Sequence, residues 1–106
     1  MLAKRWNEMR YLRVRWIHFH PDEPVEIYSE INDDRWEVRK VELFPDGSVG
    51  FASPTEGMGS TMLAVEPLPA LEEIASDPQF MPVEISREEF EKVWEKRPHP
   101  SIAKPA

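Results

Sequence analysis

The residues with the most evident chemical potential are His18-Phe19-His20-Pro21-Asp22-Glu23. Two histidines two positions apart on an extended chain project to one side, within reach of a single metal ion. Asp22 or Glu23 would add a carboxylate. A metal-dependent hydrolase or a small-ligand-binding protein using His18, His20 and Asp22 is therefore one reading. Pro21 follows His20 at once and bends the chain where the pair would have to align. The stronger reading is a pair of polar histidines at a strand end, with His18 bonded to a nearby carbonyl. No metal and no other cofactor is assigned.

Other chemistry finds less support. Glu56-Gly57-Met58-Gly59-Ser60-Thr61 could turn backbone N–H groups towards an anion. It lacks the lysine and spacing of a P-loop and the strand–loop–helix order of a dinucleotide site. There is no G-x-S-x-G elbow and no H-E-x-x-H. The carboxylate pairs Glu72-Glu73 and Glu88-Glu89 fall on helical stretches, where neighbouring carboxylates are solvated. General acid–base work needs carboxylates held in a cleft with separated pKa values.

The elements that would position a site are legible. Val25–Phe51 reads as three antiparallel strands joined by two turns. Val25, Ile27 and Ile31 share one parity, with Glu26, Tyr28 and Glu30 on the other. Asn32-Asp33-Asp34 supplies turn chemistry. Trp36 and Val38 then face in, but Val41 and Leu43 have the opposite parity, which predicts a β-bulge near Arg39-Lys40. Phe44-Pro45-Asp46-Gly47 is a second turn, with Gly where a positive φ is needed. Tyr11–Phe19 is a further strand, ended by Pro21 and Pro24, with Leu12, Val14 and Trp16 on its core side. Ser53–Ala64 has no sustained period and reads as a long loop, a class that is often functional or mobile. Leu71–Ser76 looks like a short helix. Gln79–Ile85 is extended, and Pro82 suits it to a sheet edge. Ser86–Arg97 is the most secure helix, with Ser86 and Glu89 as a capping box and Phe90, Val93 and Trp94 as an apolar stripe.

Together these predict an α+β domain: a twisted antiparallel sheet of four or five strands in a meander, with a C-terminal helix packed on one face. The expected core is Leu12, Val14, Trp16, Val25, Ile27, Trp36, Val38, Val41, Leu43, Phe51, Phe90 and Trp94. The expected divisions are a flexible extension over 1–8, one domain over 9–97 and a disordered tail over 98–106. Met9 is a candidate natural start.

A length of 106 residues suits one domain. Hydrophobic residues make up 41%, which excludes disorder throughout. The absence of cysteine removes disulfides, Cys-based zinc sites and a Cys nucleophile. No apolar run reaches the length of a membrane span and the N-terminus does not resemble a signal peptide, so a cytoplasmic location is expected. The net charge of −7 disfavours nucleic acid, including RNA contact through Arg10, Arg13, Arg15 and Trp16. The charge is uneven: residues 1–15 carry five basic residues against one acidic, and the remaining 91 carry eight against nineteen.

YLRVRWIH, DEPVEIYSE and RWEVRKVELFPDG, with Glu73-Ile74-Ala75-Ser76-Asp77-Pro78-Gln79-Phe80 and the closing EISREEFEKVWE, resemble a family of small bacterial proteins defined only as a domain of unknown function. The resemblance covers roughly Met9–Lys96. It implies a single bacterial domain and assigns no site residue.

The leading functional expectation is a small acidic, non-enzymatic binding module with a protein partner, on the analogy of immunity and antitoxin proteins. Its expected contact surface is the polar sheet face carrying Tyr11, Arg13, Arg15, Tyr28 and Glu30, helped by Gly57 and Met58 of the glycine loop. Tyr and Arg are enriched in binding hot spots, and Met is an adaptable apolar contact. The competing reading of that face is a solvated surface on which the arginines pair with Glu26 and Glu30.

Overall fold

A computed structural model describes residues 9–98. They form a single domain with one open, antiparallel, six-stranded sheet and two short helices. The strands are β1 (Arg10–Trp16), β2 (Glu26–Ile31), β3 (Glu37–Leu43), β4 (Val49–Ala52), β5 (Gly57–Met58) and β6 (Phe80–Ile85). The helices are α1 (Leu71–Ala75) and α2 (Arg87–Glu95). The spatial order is β5-β4-β3-β2-β1-β6, so β1 is interior and β6 closes one edge. The sheet is larger than the expected four or five strands, because the glycine loop contributes β5 and the Pro82 segment contributes β6. The expected extension over 1–8 lies outside the described residues, as does all of the expected tail beyond Pro98.

The meander follows its turn chemistry. The Asn32 side-chain oxygen accepts from the backbone N–H groups of Asp34 and Trp36, both at 3.0 Å. The left-handed residue of this turn is Arg35, with φ of 66°, and not one of the Asn or Asp residues that favour it. The second turn places Gly47 at φ of 90°, and its N–H donates to the Phe44 carbonyl at 2.9 Å. The bulge is present slightly earlier than expected. Glu30 pairs with Arg39 while Ile31 pairs with Glu37, so Val38 is the extra residue.

Both faces of the sheet are partly covered. On the front, α2 lies over β1 and β2. The Ser86 hydroxyl caps this helix by accepting from the Glu89 N–H at 3.0 Å. Phe90 and Trp94 then close over Tyr11, Val41, Phe51 and Ile85. Tyr11 and Phe90 rings are 5.3 Å apart, and Phe51 meets Trp94 edge-on at 5.6 Å. The helix was expected over Leu12, Val14 and Trp16, yet it covers the opposite parity of β1. Those three residues share the rear face with Ile27, Ser29 and Ile31. Of the expected core, Leu12, Val41, Phe51, Phe90 and Trp94 are buried, whereas Trp36 is 43% exposed beside the first turn.

The rear is covered by a strap over 61–69 and by α1. The strap runs down β3 and is held by that strand's side chains and by the adjoining Arg35. Thr61 Oγ1 donates to Glu42 at 2.7 Å, Lys40 Nζ donates to the Met62 carbonyl at 2.9 Å, and the Ala64 N–H donates to Glu37 at 2.7 Å. The Arg35 side chain donates to the carbonyls of Leu68 and Pro69 at 2.9 and 2.7 Å. The glycine stretch is therefore fastened: Gly57 pairs with Ala52, Met58 packs on the front core and Thr61 is buried.

Trp94→Ala is expected to cost about 3–5 kcal/mol in a denaturant titration, as for other buried large-to-small changes; an unchanged midpoint would mean that α2 is not docked. Gly50 gives a second check. A Cβ there would lie 2.2 Å from Thr61 Oγ1. Gly50→Ala should destabilise by about 1–3 kcal/mol through displacement of the strap, and a second change, Thr61→Ala, should recover part of that loss.

Candidate functional site

The expected binding face divides in two. Its inner half is interior. The Tyr11 hydroxyl donates to Glu30 at 3.0 Å, and the Arg39 guanidinium donates to the same carboxylate through Nε and, at 3.0 Å, through Nη2. Arg39 also donates to Glu91 of α2, at 3.2 and 2.7 Å. Its guanidinium carbon lies 4.9 Å from the centroids of both Phe90 and Trp94. Tyr11 and Glu30 are each only 5% exposed. They are structural and unavailable to a partner, which corrects their assignment as contact residues. Met58 is likewise engaged by the core, and Gly57 is exposed on the far edge of the sheet.

Charge placement explains this inner half. Burial penalises the Arg39 charge, but the bonds to Glu30 and Glu91 outweigh that cost and hold its pKa above the ordinary value. The Arg39 hydrogen bond in turn holds the Glu91 carboxyl below the usual carboxylate range, against the opposing effect of burial. Burial pushes the Tyr11 phenol up, and its bond to anionic Glu30 pushes it further.

The outer half carries Arg13, Arg15, Glu26 and Tyr28, further along β1 and β2. Arg13 pairs across the sheet with both Tyr28 and Val83, and Arg15 with both Glu26 and Met81. Arg15 is bridged to Glu26 at 3.2 Å, and the Tyr28 hydroxyl donates to Glu26 at 3.4 Å. Met81 and Val83 are 52% and 43% exposed on the same face. Sequence reasoning missed these two. The available signal was their shared parity with Ile85, on a strand that Pro82 had already marked as an edge.

The histidine pair is arranged differently from the metal reading. β1 ends at Trp16, so His18 and His20 lie in the following loop and not on a strand. The His20 backbone N–H donates to His18 Nδ1 at 2.8 Å, which places the His18 proton on Nε2, 2.8 Å from the Pro24 carbonyl. Both His18 nitrogens are thus occupied, and the two rings stack at 5.4 Å. Among the described residues, no group of three or more His, Asp or Glu side chains is placed to hold a metal ion.

A groove of about 420 Å³ opens on the rear, between α1 and the sheet. Val14, Ile27, Ile74, Leu68 and Phe80 form its apolar lining. Glu37 stands at one wall, accepting from Ser29 Oγ at 2.7 Å and paired with Lys40 at 3.1 Å. Glu73 and Asp77 lie at the other side. Nothing in the sequence periodicity pointed to this groove, because it depends on where the strap runs.

An open antiparallel sheet with a helix on its front and a strap and short helix on its rear defines the class as a small α+β domain. Residues 10–99 match the family model described as Domain of unknown function (DUF6881), and the chain belongs to that family. No curated protein and no solved structure gives a significant match to it. Among the described residues, no helix is long and apolar enough to cross a membrane.

The charge arrangement makes a testable statement about acid. Because the Glu91 pKa is lowered in the fold, its contribution is present above the ordinary value of about 4.3 and is lost as pH falls through the depressed value. Wild type should therefore lose more stability between about pH 5 and pH 2 than Glu91→Gln, by up to about 1 kcal/mol given the partial exposure of the pair. Parallel stability–pH curves would show that Arg39 and Glu91 are not coupled.

Proposed function

We propose that this chain is a non-enzymatic binding module, acting in the cytoplasm, that docks a protein partner on the outer half of its front face. The single observation that carries this reading is the exposure of Met81 and Val83 directly across from Arg15 and Arg13. Apolar side chains beside arginine and tyrosine are the composition of an interface core. The surface is rigid, since its residues stand on paired strands, so little ordering cost opposes docking. Arg15 is offset by Glu26, whereas Arg13 has no acidic partner among the described residues. The complementary surface is therefore apolar with at least one carboxylate. The negative charge of the body lies elsewhere and sets long-range steering, not the contact itself.

The carboxylates already engaged by the fold support a binding role over a catalytic one. Glu30, Glu37 and Glu42 are each engaged by the fold's own donors, and each of those contacts fastens an element in place.

The test compares capture of partners from a cell lysate by the immobilised wild-type domain and by folded variants. A partner recovered by wild type should be reduced at least about tenfold by Met81→Asp and by Arg13→Ala, a loss typical of hot-spot truncation. Glu95→Ala, on the outer surface of α2, should retain it. Equal recovery by every variant would remove this face from the assignment.

A further inference from the structure

We propose that the rear groove is a binding site for a small organic cation with an apolar body, such as an arylalkylamine. This site is on the opposite side of the sheet from the partner face and stands independently of it. Its volume of about 420 Å³ falls within the range of small-molecule sites.

The groove exists because α1 does not close onto the sheet. The helix has five residues, no side-chain cap and no fully buried side chain. It is held beside the sheet by its packing on β6 and by the Arg35 bonds to the strap just before it. Val14, Ile27, Ile74 and Phe80 consequently converge on one concavity while remaining only half-buried. The contrast with the front is direct, since α2 closes Val41 and Phe51 completely. An apolar group seated under α1 would remove the remaining apolar surface from water, which is favourable in proportion to the area covered.

The charge of the lining selects the ligand's polar end. Glu37, Lys40, Glu73 and Asp77 line the groove, three negative and one positive, which gives −2. The Lys40 charge is offset by Glu37, whose carboxylate is also satisfied by Ser29 and the Ala64 N–H. Neither Glu73 nor Asp77 has an ion-pair partner among the described residues, and the Asp77 carboxylate accepts only the local Gln79 N–H there, at 3.0 Å. Both line the groove, Glu73 from α1 and Asp77 from the turn that follows it. An ammonium there would meet two uncompensated charges, whereas an anion would be repelled. The groove therefore takes an apolar body inward against Val14, Ile27 and Phe80, with its amine towards Glu73 and Asp77.

The experiment titrates the isotope-labelled protein with three probes of similar shape, followed by amide chemical shifts: phenethylamine, phenethyl alcohol and hydrocinnamate. Phenethylamine should shift the amides of Ile27, Ile74 and Phe80 saturably. It should bind up to about fivefold more tightly than the alcohol, the size expected for partly exposed charge pairs, with hydrocinnamate weakest. The double variant Glu73→Gln/Asp77→Asn, which changes one exposed and one half-buried side chain outside the core, should bring the amine down to the alcohol without weakening the alcohol. Absence of saturable shifts at those amides would overturn the assignment of a site. Equal or tighter binding of hydrocinnamate, or an unaltered amine preference in the double variant, would overturn the assignment of a cation.

Discussion

Arg39 is the charge around which the front of the domain is arranged. A guanidinium taken out of water is costly unless its donors and its charge are both met. Here Glu30 meets them from β2 and Glu91 from α2, while Phe90 and Trp94 present ring faces to the same cation. Tyr11 adds a bond from β1 to the shared carboxylate. Three elements thus converge on one side chain of β3. The position of α2 is specified by this convergence more sharply than by its apolar stripe, which alone would tolerate sliding along the sheet. A second arginine repeats the device at the helix end. Arg97 stacks 4.1 Å from the Trp94 centroid and donates to the Trp94 carbonyl and to Glu56.

The bulge at Val38 is what allows both faces to be used. Without an extra residue, Glu37 and Arg39 would point the same way. With it, Glu37 turns to the rear and binds the strap, while Arg39 turns to the front and binds α2. Two charged networks, anchored two positions apart on one strand, are thereby kept apart. The covers they hold are unlike in kind. The front is an apolar helix interface with one embedded charge cluster. The rear is a polar strap whose backbone groups are met by β3 side chains, with apolar contact concentrated near α1.

Much of the fold was legible because local chemistry and long-range structure agree. The Asn32 and Gly47 turns, the Ser86 cap, the Pro82 edge and the bulge all follow from residue type and parity. The error was in the faces. Alternation on β1 sets Leu12, Val14 and Trp16 against Tyr11, Arg13 and Arg15, and the usual inference gives the second set to solvent. That inference assumes one wet face. Here the polar parity also carries Tyr11 and Glu30, whose burial becomes favourable only when Arg39 and Glu91 arrive from elements distant in sequence. The same blindness applies to the loop of 53–64. Glycines suggested mobility, yet the partners of Thr61, Met62 and Ala64 are side chains of β3, about two dozen residues away. A pairing of that range has no local signature. The proposed binding face was half legible for the same reason: Arg13, Arg15 and Tyr28 were identified by parity, and Met81 and Val83 required the register of β6 on β1.

The proline of β6 has a consequence for how the domain meets its surroundings. Ile17 donates to the Gln79 carbonyl, so the backbone groups of Gln79, Met81, Val83 and Ile85 point towards β1. Those of Phe80, Pro82 and Glu84 point outward. The Phe80 N–H is already spent on Asp77, and Pro82 has none to give. The rim that remains offers a newcomer one amide donor, at Glu84, beside a charged side chain. At the other end of the sheet the terminal strand is two residues long. The sheet is open in topology but nearly closed to extension. A strand added at the β6 rim would find carbonyl acceptors but a single amide donor, so the backbone is a poor template for a further strand or a fibre, and side-chain shape and charge would carry most of any association.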